Sequence, residues 1–300
     1  MKDCNNIFIC PDDGNKLSFL SDNLYCNLCG RSFPKYDDIL FEILPKSPYQ
    51  FDENAIWDKY LKDYHNLLAE PFNWDTSMRG WGSLNTNAKN MRPEIDAKKK
   101  KISNFLYDIK NGILCDVSGG SGVFSTYFTK KFSTVVHCDL DVRSINEVHH
   151  TCIENNIKNL LITRCDYLQL PFFSNSFDAM ICTSETFGNG YPHDKRLLSE
   201  IYRCLKPGGK FVIDLPNKKR IPVLLANLIQ NSKIKNYAYY YLQIESMFED
   251  LKGIHYHTEG FHYVPTKIVA TTKLYSSLNA FFKLIYVPPA QFLIEGYKGQ

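Results

Sequence analysis

The sequence predicts an α/β fold: a doubly wound, mostly parallel sheet with helices on both faces and a small cysteine-bearing segment ahead of it. Three observations predict it. From Ile113 to Leu215, short apolar runs alternate with helical patterns of about ten residues. Those runs are apolar almost throughout, as strands covered on both faces must be. The run Ile113–Val117 then gives way to the glycine cluster of Ser118-Gly119-Gly120-Ser121-Gly122, a strand–turn–helix join of the kind at which open parallel sheets bind ligands.

Composition sets the bounds. Three hundred residues suit one large domain, or a domain with a small appendage. Apolar content of 44% and aromatic content of 14% supply a sizeable core and argue against wholesale disorder. A net charge of +3 is too weak to argue for nucleic acid by itself, and the run Lys98-Lys99-Lys100-Lys101 reads as a solvated helix face. No stretch approaches the roughly 20 apolar residues that a membrane span needs. The opening MKDCNNIFICPDDG lacks the form of a secretory signal. The ten cysteines do not form a disulfide framework: Cys115, Cys138, Cys165 and Cys182 fall in or beside apolar runs. Buried thiols there act as small hydrophobes in a reducing compartment, so a cytoplasmic location is expected.

Taken in order, residues 1–45 form a distinct leader. Cys10 precedes Pro-Asp-Asp-Gly, and Cys26-Asn27-Leu28-Cys29-Gly30 follows. Two knuckle-like turns with short strands between them make a zinc ribbon, whose tetrahedral site needs four ligands in two close pairs. Here the second pair, Cys26 and Cys29, is intact, while the first has Cys10 with Asp13 in the place of its partner. Asp13 can serve as a ligand, and Cys4 is a possible substitute. The alternative is a metal-free ribbon packed on Phe19, Leu24, Phe33 and Ile39.

Residues 46–110 read as a helical cap or linker. Ile56, Tyr60, Tyr64, Leu67 and Leu68 recur at helical spacing up to Pro71. A polar loop with Trp74 and Trp81 follows, and a second helix is expected from about Ile95 to Lys110, stopped by Asn111-Gly112. Within 111–300 the expected order is strand 113–117, helix 122–131, strand 134–138, helix 142–155 with Asp141 as N-cap, strand 160–164, strand 177–182, helix 195–205 and strand 210–215. Lys206-Pro207-Gly208-Gly209 turns the chain between the last two. Beyond Pro216 the pattern loosens: a short apolar helix over 221–229, helices over 237–251 and 275–284, and strand-like alternation over 254–264, with an insertion of about 217–250 expected to cover the substrate.

The glycine turn explains itself chemically. Glycines let a ligand approach the backbone and tolerate positive φ, and a helix N-terminus offers free N–H groups to a phosphate or carboxylate. Asp139, at the end of the second strand, can accept both hydroxyls of a ribose. Dinucleotide enzymes and enzymes that bind S-adenosylmethionine share that logic. Read as G-x-G-x-x-G from Gly120, the match is imperfect, because Ser125 stands at the third glycine.

Later motifs decide between them. Arg164-Cys165-Asp166-Tyr167 closes the third strand, Leu170-Pro171-Phe172 and Ser176-Phe177-Asp178 precede the fourth, and Leu205-Lys206-Pro207-Gly208-Gly209-Lys210 leads into Phe211-Val212-Ile213. In this order the set resembles a class I S-adenosylmethionine-dependent methyltransferase, with its Rossmann-like sheet. It is nearest to the type 11 branch that includes quinone-biosynthesis C-methyltransferases. The resemblance covers about Ile113 to Pro216. The leader resembles the short zinc-ribbon segment found before some bacterial methyltransferase domains.

The resemblance implies S-adenosyl-L-methionine as cofactor, and a zinc ion if the leader is complete. Asp116 should organise the turn and reach the methionine amino group. Gly120 and Gly122 should let the methionyl portion lie against the backbone. Ser118 stands where the family has its first glycine, so its Cβ crowds the cofactor or its hydroxyl meets the carboxylate. Asp139 should hold the ribose diol, Leu140 lie against adenine, Asp166 accept from the adenine amino group with Tyr167 beside the ring, and Thr183 border the sulfonium. The plainer readings are that Asp116 and Asp139 cap turns and that Asp166 is a turn residue. Glu185, Tyr191 and His193, in the loop after the fourth strand, are the candidates for a general base; His193 could instead cap the next helix. His255, His257 and His262 read as surface or core histidines.

Three functions follow from this. The first is methyl transfer to a small-molecule or biosynthetic-intermediate acceptor, which the aromatic content of the covering segments suits. The second is RNA methylation, with the ribbon and the lysines gripping nucleic acid. The third, kept open by Ser118 and the incomplete metal set, is a non-catalytic cofactor-binding or interaction protein.

Overall fold

A computed structural model describes residues 7–20, 23–50, 66–67, 86–183, 186–187, 191–217, 219, 241–264 and 272–300. The side chains of 86–92, 191–192, 241–242 and 272–273 are outside that description. The expected helices over 52–70 and 221–229, the Trp74–Trp81 loop and most of the covering insertion therefore lie outside the described residues or nearly so.

Among the described residues, eight strands form the main sheet: β4 (Leu40–Ile43), β5 (Ile113–Val117), β6 (Thr134–Asp139), β7 (Leu160–Cys165), β8 (Phe177–Cys182), β9 (Leu205–Pro216), β10 (Ile254–Phe261) and β11 (Gln291–Lys298). They lie in the order β10-β11-β9-β8-β5-β6-β7-β4. The six from β9 to β4 are parallel, and β11 and β10 are added antiparallel. The chain winds outward from β5 through β6 to β7, then returns to the other side of β5 for β8 and β9. The order reverses between β5 and β8, where such sheets open a crevice.

Period-two alternation sorts the strand side chains onto two faces. Leu114, Val135, Ile162, Ile181 and Val212 meet Ile102 of helix α1 (Thr86–Phe105), Phe124 and Phe128 of α2 (Val123–Phe128) and Ile145 and Val148 of α3 (Val142–Glu154). Cys115, Cys138, Cys165, Met180, Cys182 and Ile213 face the other way, toward Leu197 and Ile201 of α4 (Tyr191–Cys204) and Ile244 and Met247 of α5 (Tyr241–Phe248). Burial pushes the Cys138, Cys165 and Cys182 thiols well up from their ordinary value, so they stay protonated and pack as apolar groups. Helix α6 (Thr272–Leu284) packs beside α1 through Tyr275.

The leader folds as an antiparallel three-stranded ribbon, β1 (Leu17–Leu20), β2 (Asn23–Cys26) and β3 (Ser32–Pro34). It is not self-contained. Its last strand, β4, joins the main sheet beside β7, Phe8 bridges Phe172, and Phe8, Leu17, Leu24 and Phe33 share one core with the sheet.

Several elements differ from the sequence pattern. Helix α1 begins at Thr86 and ends at Phe105, and tolerates Pro93 near its start. Its Lys98 is not solvated: it is buried, with Nζ 2.7 Å from Asp214 Oδ2 and 2.9 Å from Gln291 Oε1. Lys101 reaches Glu259 at 2.5 Å, and Lys99 lies over the Tyr127 ring. A helical turn points one side chain in three or four inward, whatever its neighbours carry. Strand β9 runs from Leu205 and takes in the Pro-Gly-Gly turn, with Gly208 at φ 74° beside an irregularity in its register with β8. Strand β11 is not anticipated by the pattern. The exposed His255 stacks on Tyr297, and His262 is buried against Tyr275.

Candidate functional site

The C-terminal ends of β5, β6 and β7 bring Asp116, Asp139 and Asp166 to one edge of the sheet. All three are buried. The glycine turn rises between the first two. Asp139 accepts the Gly120 N–H at 2.8 Å on one oxygen and the Asp141 N–H at 2.9 Å on the other. The acid on the second strand thus holds the turn that follows the first.

Asp116 is held from beneath. Its Oδ2 accepts the Ser125 hydroxyl at 2.5 Å, and the same hydroxyl is 2.8 Å from His137 Nδ1. Ser125 has one proton and gives it to the carboxylate, so it accepts from the ring and Nδ1 is the protonated nitrogen. Burial depresses His137 to about 3, which keeps the imidazole neutral. Asp116 Oδ1 is buried and has no hydrogen-bond partner among the described residues. Burial raises Asp116 from its ordinary 3.8 to about 7, and Asp139 to about 6. A buried carboxylate with a bare oxygen is waiting for a donor, and a cationic one would restore its charge.

The turn has different reasons for each glycine. Gly120, at φ 54°, has open space where a Cβ would stand, so a ligand can lie against its backbone. Gly122 is at φ 72°, and a Cβ there would come 2.5 Å from Val148 of α3, so it also serves packing. A Cβ on Gly119 would strike the His137 ring at 2.6 Å and Asp116 at 2.8 Å. Ser118 takes φ 53°, in the left-handed region, and so carries strain.

Beside the turn, Leu140 is buried and its carbonyl accepts from Arg164 Nε at 3.1 Å. Asp166 accepts the Leu168 N–H at 2.7 Å, bending the chain after β7, while its second oxygen is 3.4 Å from Gln169 Nε2. Tyr167 is nearly buried, with its hydroxyl 3.4 Å from His193 Nε2 and its ring edge-on to that imidazole. His193 Nδ1 is 2.8 Å from Asp194. Thr183 follows β8 directly and has a buried hydroxyl that lacks a partner among the described residues. Glu185 and the Tyr191 side chain lie outside the described residues.

Sequence reasoning missed three participants. Ser125 and His137 act only through a contact between the first turn of α2 and the middle of β6. Arg164 is fully buried and joins Glu42 of β4 at 2.8 Å to the Leu140 and Leu67 carbonyls. An arginine inside a mainly apolar strand, Leu160–Cys165, was the available signal.

In the leader, Cys10, Asp13, Cys26 and Cys29 converge: one donor atom from each lies within 4.8 Å of every other. Cys4 is outside the described residues.

Residues 115–213 match the family described as a methyltransferase domain. An uncharacterized chloroplastic methyltransferase of Arabidopsis thaliana is 26% identical over 69% of this chain and 60% of its own length. A ubiquinone/menaquinone biosynthesis C-methyltransferase of Brucella abortus is 32% identical over 36% of this chain and 41% of its own. The chain thus spans 60% and 41% of these two relatives' own lengths. In fold it is similar to the magnesium protoporphyrin IX methyltransferase of Synechocystis PCC 6803 with bound SAH, at a TM-score of 0.55 and 15% identity over 81% of this chain and 100% of that one.

Proposed function

We propose that this chain, which carries a class I S-adenosylmethionine-dependent methyltransferase domain, catalyses methyl transfer from S-adenosyl-L-methionine to a small-molecule acceptor. The observation that carries the reading is the pairing of a buried, half-satisfied Asp116 with an open Gly120 turn that Asp139 holds in place. This chain's residues fit that cofactor. Asp116 Oδ1 offers the buried acceptor that an ammonium group requires, and the missing Cβ at Gly120 leaves room beside it. Asp139 lies one strand away with a carboxylate for a diol.

When bound, the cofactor supplies a sulfonium methyl that is already an activated electrophile. The chain's work is then to orient and to exclude water. Asp116 is kept in one rotamer by Ser125, so its free oxygen points consistently. Leu140 and Tyr167 supply apolar surface for a nucleobase, and Arg164 fixes the backbone beneath Leu140. Thr183 directly follows β8, the strand across the switch point. Glu185, Tyr191 and His193 belong to the acceptor side. His193 is engaged with Tyr167 and Asp194 and acts as a positioning residue, which leaves Glu185 and Tyr191 as the candidates for taking a proton.

A small acceptor is favoured over RNA by the lysine run: Lys98 is consumed by Asp214, Lys101 by Glu259, and Lys99 lies over Tyr127. The Brucella relative's name, a quinone-biosynthesis C-methyltransferase, supports the same class. The test is calorimetry with S-adenosylmethionine followed by a labelled-methyl assay against extracts of the native cell. Saturable binding and label in a small organic product support the reading. No heat and no thermal shift at millimolar cofactor would remove the enzyme; label in RNA would replace the acceptor.

A further inference from the structure

We propose that Cys10, Asp13, Cys26 and Cys29 bind one zinc ion, and that this ion clasps the leader onto the edge of the sheet beside the adenine wall. Nothing in methyl transfer requires this site, and it stands on geometry separate from the turn at Asp116.

Two loops of the same shape build it. In each, a buried cysteine is followed three positions later by a second donor and four positions later by a left-handed glycine: Cys10, Asp13 and Gly14 at φ 73°, then Cys26, Cys29 and Gly30 at φ 75°. The bonds repeat as well. Gly14 N–H donates to the Cys10 carbonyl at 2.9 Å, and Gly30 N–H to the Cys26 carbonyl at 3.0 Å. Cys10 N–H donates to the Asn15 carbonyl at 2.8 Å, and Cys26 N–H to the Arg31 carbonyl at 2.9 Å. Asp13 thus occupies the place that Cys29 holds in the other loop, and the Asn15 N–H fixes its carboxylate at 2.9 Å.

The spacing fits zinc. Tetrahedral bonds of about 2.3 Å to sulfur and 2.0 Å to oxygen give edges of about 3.8 Å between sulfurs and about 3.5 Å between sulfur and oxygen. Cys10 Sγ and Cys29 Sγ are 3.7 Å apart, and Cys26 Sγ is 3.3 Å from Asp13 Oδ2. A disulfide would leave one cysteine and the carboxylate with no reason to converge. Three thiolates argue for a soft or borderline ion over magnesium or calcium.

The clasp reaches the sheet on two sides. Asp12, beside the ligand, binds Arg31 and the Lys46 N–H, and Arg31 Nη2 donates to the Leu44 carbonyl at 3.0 Å, just past β4. On the other side Ile9 N–H donates to the Pro171 carbonyl and Phe173 N–H to the Ile7 carbonyl, each at 2.9 Å. These contacts bracket Asp166–Phe173, the segment assigned to the adenine side. That last consequence rests on the proposed cofactor site; the metal does not.

The full-length protein is measured for metal content after dialysis with zinc, for its absorption spectrum with cobalt substituted, and for its melting temperature before and after chelation. About one zinc per chain is expected, together with thiolate-to-cobalt charge-transfer bands and a melting temperature that falls on chelation and returns on adding zinc. Asp13→Cys should retain the ion and Asp13→Ala should weaken its binding at least about tenfold, since losing even an outer-shell partner costs that much. If the variants do not fold, chelation of the parent decides alone. Absence of stoichiometric zinc, iron in its place, or a melting temperature indifferent to chelation would each overturn the proposal, and none of them bears on cofactor binding at Asp116.

Discussion

Ser125 donates its hydroxyl to Asp116 across 2.5 Å while His137 holds that hydroxyl from the other side at 2.8 Å. The carboxylate is therefore aimed by a fully buried side chain beneath it. Ser125→Ala should weaken cofactor binding by about tenfold or more, the scale of a hydrogen bond to a charged group. Calorimetric titration with S-adenosylhomocysteine checks this, and unchanged affinity would show that Asp116 needs no brace.

Affinity should also depend on pH. Without ligand, burial holds Asp116 near 7, so it is mostly protonated at pH 6. A bound ammonium favours the ionised form. Binding then releases a proton, tightens as pH rises from 5 to 7 by up to about tenfold per unit, and levels off above. Calorimetry in two buffers of different ionisation enthalpy measures the released proton.

The same raised value has a consequence for the free protein. Asp116 has a folded pKa above its unfolded one, so its contribution to stability is present at low pH and lost as pH rises through about 7. Asp116→Asn should raise the stability of the cofactor-free chain at pH 8 relative to its effect at pH 5, while impairing cofactor binding. Urea denaturation at the two pH values provides the comparison.

Asp139→Ala removes the acceptor of the Gly120 and Asp141 N–H groups as well as the carboxylate assigned to the ribose. A loss of cofactor affinity of about ten- to hundredfold is expected. A variant that binds as tightly as the parent would refute the ribose assignment.

Lys98→Met removes the ammonium that buried Asp214 faces at 2.7 Å. The expected loss of stability is about 3–5 kcal/mol, with most of it recovered when Asp214→Leu is added. Denaturant melts of the two variants separate this from a surface lysine, whose replacement changes little.

What could be read in the sequence was local. The run Ile113–Val117 followed by glycines announces a strand, a turn and a helix within ten or so residues, and Asp116 and Asp139 are strand-end residues in any register. What could not be read depends on distance along the chain. Residues 40–43 look like part of a small ribbon because their partner, β7, lies far downstream. Strand β11 contains Gly296, a residue unfavourable in strands, because any Cβ there would run 2.5 Å from Phe211. Lys98 hides in a lysine run, and only the helix's packing shows which of the four turns inward. Ser125 and Gly119 gain their meaning from His137, which no pattern on either segment mentions.

The seating of β4 against β7 carries a consequence for synthesis. Glu42 and Arg164, bonded in the folded protein, are 122 positions apart. At about 5–20 residues per second, the ribosome takes roughly ten seconds to deliver the second after the first. Throughout that delay the nascent leader lacks its neighbour, while each cysteine knuckle draws its bonds from residues within its own loop.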